Sequence, residues 1–130
     1  MKTLQPAGWP RPSGYANGIS ASGRMIFTAG MIGWDEREMI VSHRLEDQFG
    51  QALRNVLAVL AEDGAGPEHV VRLTVYITDR TQYLSRRDDL APVFKSVMAG
   101  HYPPMALVEV KSLVNSAALV EIEATAVVPE

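Results

Sequence analysis

The chain has no cysteine among its 130 residues. That absence excludes disulfides, a thiol nucleophile and a cysteine-ligated zinc site. It fits a reducing compartment. No apolar run approaches the ~18 residues needed to span a bilayer. Residues Met1 to Pro12 also lack the apolar stretch of a secretory signal. The expectation is a cytoplasmic protein with no membrane partner. Basic excess is missing too, since 12 Lys and Arg stand against 15 Asp and Glu, a net charge of −3. Nucleic-acid binders draw most of their affinity from neutralising phosphates. The one basic cluster, Arg80 with Arg86 and Arg87, is followed at once by Asp88 and Asp89. No nucleic-acid partner is expected. Glycine-rich phosphate loops and the G-x-S-x-G nucleophile elbow are absent. His43, His69 and His101 are isolated and lack metal-type spacing, which reads as loop or surface histidines. No metal and no cofactor are expected.

What is present is ordinary for one compact domain: 47% hydrophobic and 21% charged residues over positions 1–130. Pro6, Pro10 and Pro12 predict an irregular segment over residues 1–12. Tyr15 to Ile19 reads as a short strand. Arg24 to Ile32 reads as a buried strand, with Gly30 marking a bulge or a close approach to the backbone. A polar turn at Trp34 to Glu38 leads to a short strand at Met39 to Val41. Leu45, Phe49, Ala52, Leu53, Val56, Leu57 and Leu60 recur at three- and four-residue spacing and predict a helix. Ser42 is its expected N-cap and Gly64 its stop. His69 to Thr78 alternates, with Val71, Leu73, Val75 and Ile77 on one face. Residues 83–98 predict a second helix. Pro92 implies either that its regular part begins near Leu90 and Ala91 or that an earlier turn kinks there. Two strands, Met105–Leu113 and Ala118–Val128, close the chain. One sheet with both helices on one face is the economical packing.

Acid inside strands is the strongest chemical signal. Glu121 and Glu123 share a strand face with Leu119, opposite Val120, Ile122, Ala124 and Ala126. Two carboxylates shielded together repel, which raises the pKa of one and suits acid–base work. Alternatively the face is solvated, or each acid meets a cation from a neighbouring strand. Glu109 carries the same alternatives more weakly. Tyr15 either orients a ligand's polar group or caps the core. Trp34, Asp35 and Tyr76 read as surface, packing or interface residues.

Several segments, in order, resemble the RidA/YjgF family of small enamine and imine deaminases. Pro12 to Ile19 is similar to the family's opening turn and strand. Phe27-Thr-Ala-Gly-Met-Ile32 is similar to its Ser-Gly-Gln-Ile segment. Gln51 to Leu57 resembles its first helix, Val71 to Asp79 the strand that follows, and Pro103 to Ala126 its signature. The resemblance covers about residues 12–128. It implies an α+β, chorismate-mutase-like single domain with one mixed β-sheet and two helices packed on one face. It also implies a homotrimer, with small-molecule clefts between neighbouring subunits.

Residue by residue, Tyr15 matches the family's pocket tyrosine. Gly30 matches the glycine whose backbone lines the cleft. Glu121 matches the glutamate that positions or activates water. Three places depart: a serine becomes Ala29, an asparagine becomes Arg87, and the signature arginine becomes Met105. An arginine fork holds a carboxylate by two charge-assisted hydrogen bonds, and methionine cannot. Losing such a contact costs about 2–5 kcal/mol when the partner charge is buried. The expected activity is hydrolysis of an imine, enamine or related metabolite, with Glu121 and Tyr15 catalytic and Gly30, Ala29, Met105 and Arg87 binding. The substrate then differs from the usual arginine-clamped 2-imino acid. Arg87 either replaces the missing cation or pairs with Asp88 or Asp89. The alternative function is a non-catalytic, ligand-binding or protein-protecting trimer. Ribonuclease activity, known in the family, suits neither the acidic balance nor the lack of paired histidines.

Overall fold

A computed structural model describes all residues from Met1 to Glu130. The strands are β1 (Lys2–Leu4), β2 (Gly18–Ser20), β3 (Arg24–Phe27), β4 (Met31–Ile32), β5 (Val70–Ile77), β6 (Met105–Glu109) and β7 (Val120–Val128). The helices are α1 (Leu45–Ala61), α2 (Arg80–Ser85) and α3 (Arg87–Val97). The main sheet has the order β3-β7-β5-β6, and β4 also pairs with β7. β5 and β6 run parallel, while β7 is antiparallel to β3, β4 and β5. This is the mixed α+β sheet that the family resemblance implies.

The core lies between this sheet and the two longer helices. Leu45, Phe49, Leu53, Val56 and Leu60 of α1 are buried, and α1 lies against β7. Leu73, Val75 and Ile77 of β5 and Val120, Ile122, Ala124 and Ala126 of β7 meet them. Leu90, Phe94 and Met98, on or just past α3, complete the same cluster. Gln48 is the one fully buried polar side chain, and it is satisfied on both sides. Its Nε2 donates to the carbonyls of Ser42 and Ala117, and its Oε1 accepts from the Leu119 N–H. Those bonds tie α1 to the approach of β7.

The structure corrects several local expectations. The N-terminal segment is not irregular throughout, because β1 pairs with β2 across the proline-rich stretch between them. Asn17 donates to Gln5 inside that stretch and helps close it. Tyr15 therefore precedes a strand rather than starting one. The apolar run at residues 24–32 is two strands separated at Thr28 to Gly30, where the Thr28 hydroxyl accepts the Ala124 N–H. Residues 39–41 make only a single bridge, Trp34 with Ile40. Arg44, not Ser42, is the N-cap, and the Ser42 hydroxyl accepts the Arg44 N–H instead. Helix α1 ends at Ala61, three residues before the expected stop, and its last turn closes through Gly64 at φ +77°.

The second helix is two helices. Asp79 accepts the Gln82 N–H and starts α2 at Arg80. The break falls at Arg86, whose ψ of 8° leaves the helical range. Pro92 lies inside α3 and is not the break. It and Asp88 are exposed, so water can satisfy the carbonyl that proline leaves without a donor. In β5 a register shift between Val70 and Arg72 turns Val70 inward, and Val71 is only partly buried. β6 ends at Glu109 and β7 begins at Val120, both within the predicted ranges but shorter.

Candidate active site

A cavity of about 570 Å³ opens between β6 and the helical layer. Parallel pairing sets Met105 and Leu107 in register with the buried Leu73 and Val75, so both turn toward the helices. They form one wall. The opposite wall is one stripe of α3: Arg87, Leu90, Ala91 and Phe94. Phe49 of α1 closes the base, where its ring centroid lies 6.5 Å from that of Phe94. Tyr102 stacks on Phe94 with centroids 5.6 Å apart and planes 13° from parallel. Tyr15 reaches the cavity from the loop before β2, where the Ala16 N–H donates to the Pro103 carbonyl. Tyr83 enters from α2.

The two adjacent arginines diverge. Arg86 reaches Asp89 at 3.5 Å and the buried Glu46 at 3.8 Å. Arg87 pairs with neither Asp88 nor Asp89 and lines the cavity. Glu46 Oε1 also accepts from Arg44 Nε at 2.8 Å, whereas its buried Oε2 has no partner. Its own backbone N–H holds the Glu46 carboxyl below the usual range, helped by Arg44 and Arg86 and opposed by burial.

The other half of the expected site lies on the opposite face of the sheet. Val120 and Ile122 point into the core, so Glu121 points away from it, in register with Tyr76 and Ile32. A Cβ added at Gly30 would stand 2.6 Å from Glu121 Oε2. Only glycine lets the carboxylate lie this close over the backbone. Ala29 precedes Gly30 and is exposed. Glu123 meets a hydroxyl rather than a cation: Tyr76 Oη donates to its Oε1 at 2.8 Å. That bond, with desolvation and the charges of Glu123 and Glu121, pushes the Tyr76 phenol up. Within one chain, then, Tyr15, Arg87 and Met105 come together, and Glu121, Gly30 and Ala29 come together elsewhere.

Glu109, His69 and His101 have structural partners. Glu109 Oε1 accepts the Arg80 N–H at 2.7 Å and anchors the start of α2. His69 Nδ1 accepts the Gly66 N–H, and His101 Nε2 lies 2.7 Å from the Val70 carbonyl. Sequence reasoning missed the aromatic lining of Phe49, Tyr83, Phe94 and Tyr102. Helical periodicity marks Phe49 and Phe94 as apolar, but a core position and a cavity wall leave the same pattern.

An α+β sheet with a cleft at its parallel edge and a carboxylate on its outer face defines the class of the fold. Comparison with known proteins narrows the class. The family model described as Endoribonuclease L-PSP matches residues 10–128. The chain belongs to this family, which includes the Rid and YjgF proteins it resembles. A RutC family protein of Synechocystis is 36% identical over 131 residues, covering 99% of this chain and 98% of that protein. TdcF of Escherichia coli, whose name places it among reactive intermediate deaminases, is 30% identical over 116 residues, covering 87% and 85%. The crystal structure of YyfB, a Rid family protein of unknown function from Yersinia pestis, superposes with a TM-score of 0.86 at 28% identity, covering 98% of both chains. TdcF with bound serine superposes at 0.70 and 27% identity, covering 98% of this chain and 99% of that one. No helix is long and apolar enough to cross a membrane.

Proposed function

We propose that the chain is a cofactor-independent deaminase that hydrolyses an imine or enamine in a cleft formed between two copies, within a homotrimer. One copy supplies Tyr15, Arg87 and Met105, and its neighbour supplies Glu121 over Gly30. The division of these residues between opposite faces of one sheet carries the reading. A site split in this way is completed by a second chain. The outer sheet face also lacks a helical cover and leaves Phe27 66% and Val108 45% exposed. Apolar residues on an uncovered sheet face suit burial against another copy.

The chemistry follows from the groups. The Glu121 carboxylate takes a proton from water as the water oxygen bonds to the imine carbon. The proton passes to the imine nitrogen to give a carbinolamine. Glu121 then carries the hydroxyl proton to the amine nitrogen as the C–N bond breaks, and ammonia leaves a carbonyl product. Tyr15 orients the substrate through its hydroxyl. Water and substrate supply every atom, and no electrons change hands.

The test is ammonia release from imines generated in place by an amino-acid oxidase. Release above the uncatalysed rate is expected, and Glu121→Gln lowers kcat about a hundredfold or more. No acceleration with imines of several different side chains would overturn the reading. Sedimentation should give three times the chain mass.

A further inference from the structure

We propose that the cavity selects carboxylates bearing an aromatic or similarly large apolar group, with Arg87 holding the carboxylate and the Phe94–Tyr102–Met105 end receiving the ring. For the reaction it rests on the deaminase reading: the substrate is then the imine of an aromatic 2-amino acid, and the product the aryl 2-keto acid. The binding claim stands on the cavity itself.

Three observations carry it. First, the positive charge and the aromatic pair share one helical stripe. Arg87, Leu90, Ala91 and Phe94 all line the cavity, at the i, i+3, i+4, i+7 spacing of one face of α3. Arg87 and Phe94 are seven positions apart, about 10 Å along the helix axis. A three-carbon acid held by the guanidinium leaves the far end filled by water against apolar walls. A ring joined to its carboxylate through two carbons spans the gap.

Second, the walls at the far end are apolar but for the Tyr102 hydroxyl. Leu90, Phe94, Met105 and Leu107 carry no donor, and Phe49 closes the base. A thioether beside aromatic rings makes favourable contacts with a further ring and adapts to its shape. The Phe94–Tyr102 stack supplies a preformed aromatic surface. Third, Arg87 has no carboxylate partner of its own, although two aspartates follow it directly. Arg86 takes the ion pairs with Glu46 and Asp89, which leaves the neighbouring guanidinium available to a ligand.

The test is calorimetric binding to the assembled protein of stable ligands that need no turnover: propanoate, 3-phenylpropanoate and its neutral amide. Burying a phenyl ring should make 3-phenylpropanoate bind about a hundredfold more tightly than propanoate. The amide should bind about tenfold more weakly than the acid. Arg87→Ala should abolish the difference between acid and amide, while Arg11→Ala, at a neighbouring polar depression, leaves it intact. Met105→Arg, which puts a cation on the apolar wall, should narrow the preference for the ring at least tenfold. It serves as the second variant because Phe94 is partly a core residue.

Equal affinity for the two acids, no binding of either, or an acid-over-amide preference that survives in Arg87→Ala overturns the proposal. The deaminase reading fails separately. Tight binding of 3-phenylpropanoate with no ammonia released from any imine sinks the catalysis and leaves this selectivity standing. Ammonia released equally fast from the imines of alanine and phenylalanine, with no ring preference in binding, does the reverse.

Discussion

The Glu121 carboxylate lies over Gly30, just before the β4 strand that pairs with β7: a single methyl group at position 30 would stand 2.6 Å from it. The glycine is there for room, not for an unusual backbone angle, because its φ is not in the left-handed region. Gly30→Ala should therefore fold. The added methyl pushes aside the free end of a half-buried side chain, so thermal stability should change by no more than about 1 kcal/mol. Ammonia release should fall about a hundredfold, because displacement by about an ångström is enough to misalign a general base. Parallel melting curves and steady-state rates check both halves.

Tyr76 and Glu123 give a signature at high pH. The hydrogen bond to Glu123 raises the phenol's pKa, so the folded protein prefers the neutral phenol more strongly than the unfolded chain does. The stabilisation is complete below the unfolded value near 10 and is lost as pH rises through the raised folded value. Glu123→Gln should bring one tyrosine's absorbance titration back toward 10. It should also make the alkaline loss of stability shallower. An unchanged titration would mean that the bond does not persist in solution.

Glu46 acts at the other end of the pH scale. Its carboxyl is held low by its own N–H and by Arg44 and Arg86. Its stabilisation is therefore complete above the unfolded value near 4.3 and is lost as pH falls through the lowered folded value. Urea unfolding of Glu46→Gln should show a flatter acid limb than the parent protein. At neutral pH the variant should be less stable, because Arg44 and Arg86 both lose their counter-charge.

Gln48 tests the join between α1 and β7. Gln48→Ala leaves a part-buried N–H at Leu119 and two carbonyls, at Ser42 and Ala117, without their partner. Each unsatisfied buried group costs about 1–3 kcal/mol, and partial entry of water lowers the sum. A loss of about 2–4 kcal/mol in denaturant unfolding is expected. The Leu119 amide should exchange with solvent faster by hydrogen exchange.

The elements legible in the chain are those whose pattern is local. Helix α1 shows its apolar face at three- and four-residue spacing, and β7 alternates Val120, Ile122, Ala124 and Ala126 inward against Glu121, Glu123 and Thr125. The breaks were not legible. The shift that turns Val70 inward in place of Val71 depends on the pairing of β5 with β7. The start of α2 depends on where Asp79 and Glu109 point, and its end at Arg86 leaves no proline or glycine as a signal.

By itself the sequence determined the buried faces of α1 and β7, because hydrophobic burial writes the period of each element into adjacent residues. The family and its mixed α+β sheet rested on the ordered resemblance of segments from residue 12 to 128. Only the tertiary structure decided which residues share a site. Met105 and Arg87 meet because β6 pairs in parallel with β5 and faces α3, whereas Glu121 and Gly30 meet on the sheet's other side. Neighbours of that kind are set by strand register and helix docking between distant parts of the chain. No spacing within the chain encodes them.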